Sequence, residues 1–413
     1  MKKRRVVITG LGIVAPNGIG IDDFWEANIN GRSGIDRITF FDIANFKTKI
    51  AAEVKDLDPT IYMPKKVARS VDRFVHLGLA SAKMAIEDSG IDLEKEDKER
   101  VGVIIGSGLG GVLFHEEQIA VALERGPHRG NPLCVPKITP NAVGGNIAIQ
   151  YGLLGPNFVI STACASGNHA IGEAFRKIQH DEADVILSGG AEAPLTRFTF
   201  GAFYAMRVLS RSERAPQEVS RPFDRERNGF VMGEGSAVLI LEELGRALER
   251  SAHIYGEIVG YGLTSGAYHM ALPQPDGEDS ARAMMSALKD GGVEPSETDY
   301  INAHGTSTVP NDRAETKAIK KVFGDEARKI PVSSTKSMIG HTIGAAGAIE
   351  TVVCCLAMEN QIIPPTINYE YPDPECDLDY VPNEARNAQL DIVLCNSFGF
   401  GSVNACILLK RFA

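Results

Sequence analysis

Ala85-Ile86-Glu87-Asp88-Ser89-Gly90-Ile91 and, half a chain length later, Ala287-Leu288-Lys289-Asp290-Gly291-Gly292-Val293 share one pattern. Each closes a helical stretch with an aspartate and a helix-stopping glycine. Each then leads into an apolar strand, at Val101 and at Tyr300. Both strands run into a turn of small residues, Gly106-Ser107-Gly108 in one case and His304-Gly305-Thr306 in the other. A spacing close to half of 413 residues reads as a duplicated α/β unit. The charged helical segment Leu244–Ser251 marks the junction, giving an N-terminal half, 1–250, and a C-terminal half, 251–413. Duplicated halves pack together, and a site between them draws residues from each.

Outward from these stretches, short apolar runs alternate with helical patterns, the signature of α/β architecture. Strands are expected at Arg5–Thr9, Val101–Ile105, Phe158–Ser161, Asp184–Ser188, Ala237–Leu241, Ile254–Gly260, Tyr300–Ala303, Pro331–Ser334, Ile392–Asn396 and Ala405–Lys410. Helices are expected at Asp22–Asn30, Val67–Ser89, Asn141–Tyr151, Ser166–Gln179, Ser280–Asp290, Arg313–Val322 and Ala345–Met358.

Composition narrows the class. A hydrophobic fraction of 44% supplies a large core, and 42 glycines point to tight turns and close backbone approaches. The net charge of −10 gives no reason to expect nucleic-acid binding. Seven cysteines without a CxxC pair fit a reducing compartment rather than a disulfide framework. Met1-Lys2-Lys3-Arg4-Arg5 is a basic start, but the apolar stretch after it is too short for a signal peptide. No run of eighteen apolar residues suggests a membrane span. The expectation is a cytoplasmic protein.

Cys164 lies in Ser161-Thr162-Ala163-Cys164-Ala165-Ser166-Gly167, where a strand hands over to a helix. A thiol at a helix N-terminus sees free N–H groups and the positive end of the dipole, which favour thiolate and can hold an oxyanion. The bland alternative is a buried packing cysteine. The other six sit in apolar elements or beside prolines and read as packing. His304, in Asn302-Ala303-His304-Gly305-Thr306, and His341, in Lys336-Ser337-Met338-Ile339-Gly340-His341, stand at element junctions, where α/β folds place site residues. His76, His169, His180 and His253 lie within elements and read as structural, while His115, His128 and His269 stay open. No HxxxH or HxH spacing supports a metal. A cation at Lys336 near His341 would keep that imidazole neutral; the alternative is a solvated lysine.

Together, Thr162–Gly167, Asn302–Thr308, Ser334–His341 and Asn396-Ser397-Phe398-Gly399-Phe400-Gly401 resemble the β-ketoacyl-[acyl-carrier-protein] synthases over essentially the whole chain. Arg5–Gly12 and the stretch from Arg221-Pro222-Phe223-Asp224 to Gly233-Glu234-Gly235 share the resemblance, and Gly260–Gly277 is most similar to type II elongating synthases. The resemblance implies an α/β thiolase fold, two duplicated halves in a five-layered αβαβα sandwich, forming a homodimer. Cys164 would carry an acyl chain as a thioester. His304 and His341 would donate hydrogen bonds to the thioester carbonyl of malonyl-acyl carrier protein as CO2 leaves. The enolate would attack acyl-Cys164, giving a 3-oxoacyl chain two carbons longer. Backbone N–H groups of Cys164 and Phe400 would form the oxyanion hole, with Phe400 also a gate. Lys336 would set the electrostatics of the histidines, with Glu350 and Asp312 in support. Thr306 and Thr308 are positioned for the phosphopantetheine arm, and Leu109 and Phe203 for the acyl pocket. Neither metal nor other cofactor is implied.

The chain departs from the family pattern at Ser402-Val403, where glycine then threonine is usual, and at Gly266 and Ala271, where aspartate and threonine are usual. Carrier protein is acidic, as this chain is, so docking needs a local basic patch. Lys66, Arg69 and Arg73 fall on one face of the helix expected at Val67–Ser89, with Lys65 beside them; Arg125, Arg129 and Arg207 are further candidates. A polyketide-type ketosynthase shares the whole catalytic set. A non-catalytic partner of the chain-length-factor type lacks the nucleophile, which is present here.

Overall fold

The computed structural model describes residues 3–412. Ten strands make its frame: β1 (Val6–Ala15), β2 (Val101–Gly106), β3 (Asn157–Ile160), β4 (Val185–Glu192), β5 (Gly235–Glu243), β6 (Gly256–Ser265), β7 (Tyr300–Asn302), β8 (Val332–Ser333), β9 (Ile392–Gly399) and β10 (Val403–Lys410). All ten overlap strands read from the sequence. Their order across the sheet is β8-β7-β9-β10-β6-β1-β5-β4-β2-β3. Read outward from the middle, one side is β1-β5-β4-β2-β3 and the other β6-β10-β9-β7-β8, so each strand of one half has its counterpart five numbers on. Pairing directions repeat as well: β2 is parallel to β3 and β4, β7 to β8 and β9, and the remaining pairs in each half are antiparallel. The two sets join where Val6–Ile8 of β1 pairs antiparallel with Gly256–Ile258 of β6.

Side-chain alternation turns these strands into layers. The main helices are α1 (Arg73–Ser89), α2 (Ser166–Gln179), α3 (Glu278–Gly291), α4 (Val309–Phe323) and α5 (Ala346–Asn360). Ile104, Ile186 and Leu239 on one half, and Val393, Cys395 and Ile407 on the other, pack on a central layer of α2 and α5. Alternate residues Val103, Leu187 and Val238 turn outward onto α1. Leu394, Cys406 and Leu408 do the same onto α3 and α4. Strands covered on both faces are apolar along their whole length, which is why they read as runs rather than alternations. The segment Ile343–Asn360 is apolar and long enough to cross a membrane by composition, but 89% of it is buried in the core, as a core helix is.

The repeated seven-residue motif has an atomic reason. A Cβ on Gly10 or Gly12 of β1 would lie 2.4 Å from Ala85 O or 2.0 Å from Ser81 O of α1. A Cβ on Gly260 or Gly262 of β6 would lie 2.2 Å from Ala287 O or 2.0 Å from Ala283 O of α3. In each half, therefore, helix backbone lies directly on strand glycines. The motif's aspartate then ties helix to strand: Leu11 N donates to Asp88 (2.8 Å) and Tyr261 N to Asp290 (3.0 Å). Gly90 and Gly292 end the helices, both at φ 63°.

Two expectations need correction. The helix expected over Val67–Ser89 is two helices, Lys65–Ser70 and α1, because Val71 is extended and Asp72 caps the second one, accepting from Phe74 N (3.3 Å). Arg73 consequently leaves the basic face and turns inward to Glu234 (2.6 Å). Helices at Val112–Arg125 and Arg197–Ala205 stand where none was expected.

Candidate active site

The position of Cys164 is made by a tight turn. Between β3 and α2 the chain forms the 3-10 turn Ala163–Ala165, entered through Ala163 at φ 50°. Ser166 Oγ accepts from Thr162 N (2.9 Å) and donates to Ala163 O (2.6 Å), bracing the turn around Cys164. Close packing fixes it against the C-terminal half, since a Cβ on Gly167 would lie 2.7 Å from Ala348 N of α5.

The histidines arrive from that other half. His304 follows β7, where its N–H and that of Gly305 each donate to Glu315 of α4 (2.8 Å). His341 is held through its backbone: its N–H donates to Val231 O (2.7 Å) and its carbonyl accepts from Gly233 N (2.9 Å). His341 Nε2 lies 3.1 Å from Cys164 Sγ, and the two imidazoles meet edge to face at 5.3 Å. Ile343 N donates to His341 Nδ1 (3.3 Å), which places that ring's single proton on Nε2, facing the sulfur. Sulfur and the two imidazoles thus converge, buried, with their ligand atoms within 4.8 Å of one another.

Charge state follows from burial and from one cation. Lys336 is buried in an ion pair with Glu350. Burial first, then the Lys336 charge, holds the imidazoles of His304 and His341 well below the ordinary histidine value, so both are neutral at pH 7. The Cys164 thiol departs from the expectation of a depressed pKa. Burial pushes it up to about 12, against the opposing pull of Lys336 and the Phe400 N–H. Neutral donors with a protonated thiol describe the resting site. The Cys-His-His cluster has donors a zinc ion accepts, but the cation that depresses both imidazoles also disfavours a metal ion beside them.

Around these groups lies a cavity of about 360 Å³ lined by Cys164, His304, His341, Phe203, Thr306 and Phe400 among others. Thr306 and Thr308 share a hydrogen bond (2.9 Å) on its wall. Asp312 accepts from Thr306 N (3.1 Å) and from Phe223 N (2.9 Å), fixing that turn. Phe203 and Phe400 stack with centroids 6.4 Å apart. Leu109, read as a pocket residue, is not among the residues lining this cavity; its N–H is engaged by Glu192 instead. Lys65, Lys66 and Arg69 are exposed on the short helix, and Arg207 is exposed at the cavity's edge.

The departures at Gly266 and Ser402 lie together. Ser402, at φ 58°, donates from Oγ to His269 O (3.0 Å) and accepts at its carbonyl from Gly266 N (2.7 Å). A Cβ on Gly266 would stand 3.0 Å from Ser402 Cβ and 2.5 Å from Asp279 Oδ2. Ala271 lines the cavity.

Sequence reasoning missed two buried carboxylates, Glu315 and Glu192. Burial pushes each up to about 7, opposed by several N–H donors. Glu315 is one acid in an amphipathic helix and carries no signal of its own. Glu192, in Gly189-Gly190-Ala191-Glu192, is a charge closing an otherwise apolar strand, and that oddity was readable.

Known proteins share this arrangement. The family models for the β-ketoacyl synthase N-terminal and C-terminal domains match residues 3–247 and 255–370. The 3-oxoacyl-[acyl-carrier-protein] synthase 2 of Coxiella burnetii is 49% identical over 411 residues, covering 100% of this chain and 99% of the relative. The protein of that name from Synechocystis is 46% identical, covering 100% and 99%. Among solved structures, a type II polyketide ketosynthase in complex with its acyl-carrier protein matches at TM-score 0.93 and 37% identity, covering 100% of each chain. A β-ketoacyl synthase from Burkholderia phymatum matches at 0.92 and 34%, covering 99% of this chain and 100% of that one.

Proposed function

We propose a mechanism from one premise: the chain belongs to the β-ketoacyl synthase family. It is an acyltransferase of the condensing type with the thiolase fold, and it lengthens an acyl chain by decarboxylative Claisen condensation with malonyl-acyl carrier protein, in fatty acid elongation. The observation that carries the residue roles is the meeting of Cys164 Sγ with His341 Nε2 at 3.1 Å, with His304 beside them.

In the first half-reaction the Cys164 sulfur attacks the carrier-bound thioester. A C–S bond to Cys164 forms, the bond to the carrier's phosphopantetheine breaks, and the proton leaves the thiol for the departing sulfur. A thiol held near 12 gives up that proton only as the new bond forms. N–H groups of Cys164 and Phe400 serve as the oxyanion hole; both act to lower the pKa of the Cys164 thiol in the resting site. In the second, malonyl-carrier protein loses CO2 and its thioester becomes an enolate. Neutral imidazole donors from His304 and His341 meet the developing oxyanion, each worth about 3–4 kcal/mol. The enolate carbon then attacks the acyl carbonyl, a C–C bond forms, the C–S bond to Cys164 breaks, and the departing sulfur takes a proton from solvent. CO2 loss supplies the driving force, so the reaction as proposed uses no metal or nucleotide.

Thr306 and Thr308 hold the phosphopantetheine arm along the cavity wall. Lys65, Lys66, Arg69 and Arg207 offer acyl carrier protein a basic approach, supported by the exposure of all four and by the place of Arg207 at the cavity's edge. The repeated strand order supports division into halves 1–250 and 251–413. The edge strand β3, flanked by exposed apolar side chains, supports a homodimer. Seven unpaired cysteines suit the cytoplasm.

Intact-mass measurement after incubation with acyl-carrier protein, followed by product analysis with malonyl-carrier protein, tests the mechanism. Expected are an acyl adduct on Cys164, absent in Cys164→Ala, and a product two carbons longer. An adduct without extension would sink it. In the same assay Lys66→Glu/Arg69→Glu raises KM for carrier-linked substrates; an unchanged KM rejects the docking face.

A further inference from the structure

Glu192 closes β4 fully buried, with no ion-pair partner among the described residues. Its two oxygens collect four donors from both halves. Oε2 accepts from Gly108 N (2.6 Å) and Gly344 N (3.0 Å); Oε1 accepts from Leu109 N (3.1 Å) and Ser107 Oγ (3.2 Å). Ser107–Leu109 follow β2 in the N-terminal half. Gly344 lies three residues beyond His341 in the other. The fit is tight, since a Cβ on Gly344 would lie 2.4 Å from both Glu192 Oε2 and Gly108 N.

Between His341 and Gly344 stands Ile343 at φ 48°. A β-branched residue in the left-handed region is strained, and such a conformation persists only where its surroundings over-determine it. Glu192 supplies that restraint from the next residue. The strained geometry in turn aims the Ile343 N–H at His341 Nδ1 and so sends the imidazole proton to Nε2.

We propose that Glu192 is a positioning residue. Its carboxylate pins the His341–Gly344 turn to the Ser107–Leu109 loop and thereby fixes the tautomer with which His341 faces the reacting thioester. This inference rests on the condensing mechanism above and deepens it. Without the pin Ile343 relaxes, its N–H turns away, and His341 exchanges tautomers. Decarboxylation, which needs the Nε2 donor, suffers; acyl capture, which depends on Cys164 and the oxyanion N–H groups, is spared.

The experiment compares wild type with Glu192→Gln and Glu192→Asp in the full-length protein. It reads the melting temperature, the rate of acyl capture on Cys164, single-turnover decarboxylation of malonyl-carrier protein, and the 15N histidine spectrum. The amide turns donors toward donors in Glu192→Gln, so decarboxylation falls at least about tenfold while capture stays within about threefold. The His341 signals move from the Nε2–H form to a mixture. An equal fall in both half-reactions with an unchanged tautomer overturns the proposal. If Glu192→Gln does not fold, Glu192→Asp decides: it keeps the charge but is too short for both loops, and should show the same split. A Glu192→Asp protein matching an active wild type overturns the pin alone. A wild type that leaves malonyl-carrier protein intact overturns the mechanism beneath it.

Discussion

Lys336 shows how much one buried charge decides. Buried in its ion pair with Glu350, it lends a field that adds to burial in keeping both imidazoles uncharged. Replacing it alone would strand the Glu350 carboxylate, so the informative variant is Lys336→Met/Glu350→Gln, which leaves no unpaired buried charge. Without the cation the pKa values of His304 and His341 rise toward the ordinary 6.5. The neutral fraction below pH 7 shrinks, and the acid limb of decarboxylation moves to higher pH. A rise of one in pKa lowers the rate about tenfold on the acid side and little at pH 8. A pH–rate profile with an unmoved limb would reject the role. The sign for stability agrees: histidines whose native pKa is depressed favour folding above 6.5, and that contribution is lost as pH falls. At this scale the sequence set apart Cys164, His304, His341 and Lys336, each among small residues at an element junction, and the fold brings them together. It did not set apart Glu192 and Glu315, because a carboxylate's role comes from which N–H groups face it in space.

Elements were legible where one physical cause dominates. Strands buried on both faces leave apolar runs, and the motif Ala-x-x-Asp-x-Gly marks where a helix lies on its strand. The single expected helix over Val67–Ser89 failed because the break is made by a capping aspartate, Asp72, with neither glycine nor proline to announce it. Asp is a favoured N-cap, so the signal was there but sat inside a continuous helical pattern. Reading through it put Arg73 on the surface, whereas it belongs to Glu234. The close strand–helix contact carries its own prediction. Gly262→Ala drives a methyl against Ala283 O at 2.0 Å, and Gly12→Ala does so against Ser81 O at the same distance. Each should destabilise the fold by about 1–3 kcal/mol or more. Thermal unfolding checks this; an unchanged melting temperature would show that helix and strand are not in backbone contact.

Across the whole molecule, the duplication places the two sets of chemistry face to face. The Cys164 thiol comes from the first half, and both imidazoles and the buried ammonium come from the second. The faint sequence repeat was legible because α1 and α3 meet their strands identically; elsewhere the copies have diverged under different duties. One edge of the sheet ends in β3, and nearby side chains are left in the open: Ile149 is 80% and Leu154 69% exposed. An unpaired edge beside apolar surface is a place where another chain adds. Ile149→Asp/Leu154→Asp should convert the proposed homodimer to monomer in analytical ultracentrifugation, and a wild type that sediments as a monomer would reject the assembly.

The neighbouring departures at 266 and 402 carry a consequence for how such sequences can change. Ser402 and Asp279 both stand where a side chain at 266 would go, so position 266 is coupled to the two of them. Restoring aspartate at 266 alone meets Ser402 and Asp279 head-on, and single-site mutagenesis would score position 266 as intolerant. An evolutionary path between this pair and the usual one must also move Asp279, which stands nearer to a side chain at 266 than Ser402 does, 2.5 Å against 3.0 Å, so exchange at 402 alone does not open the way.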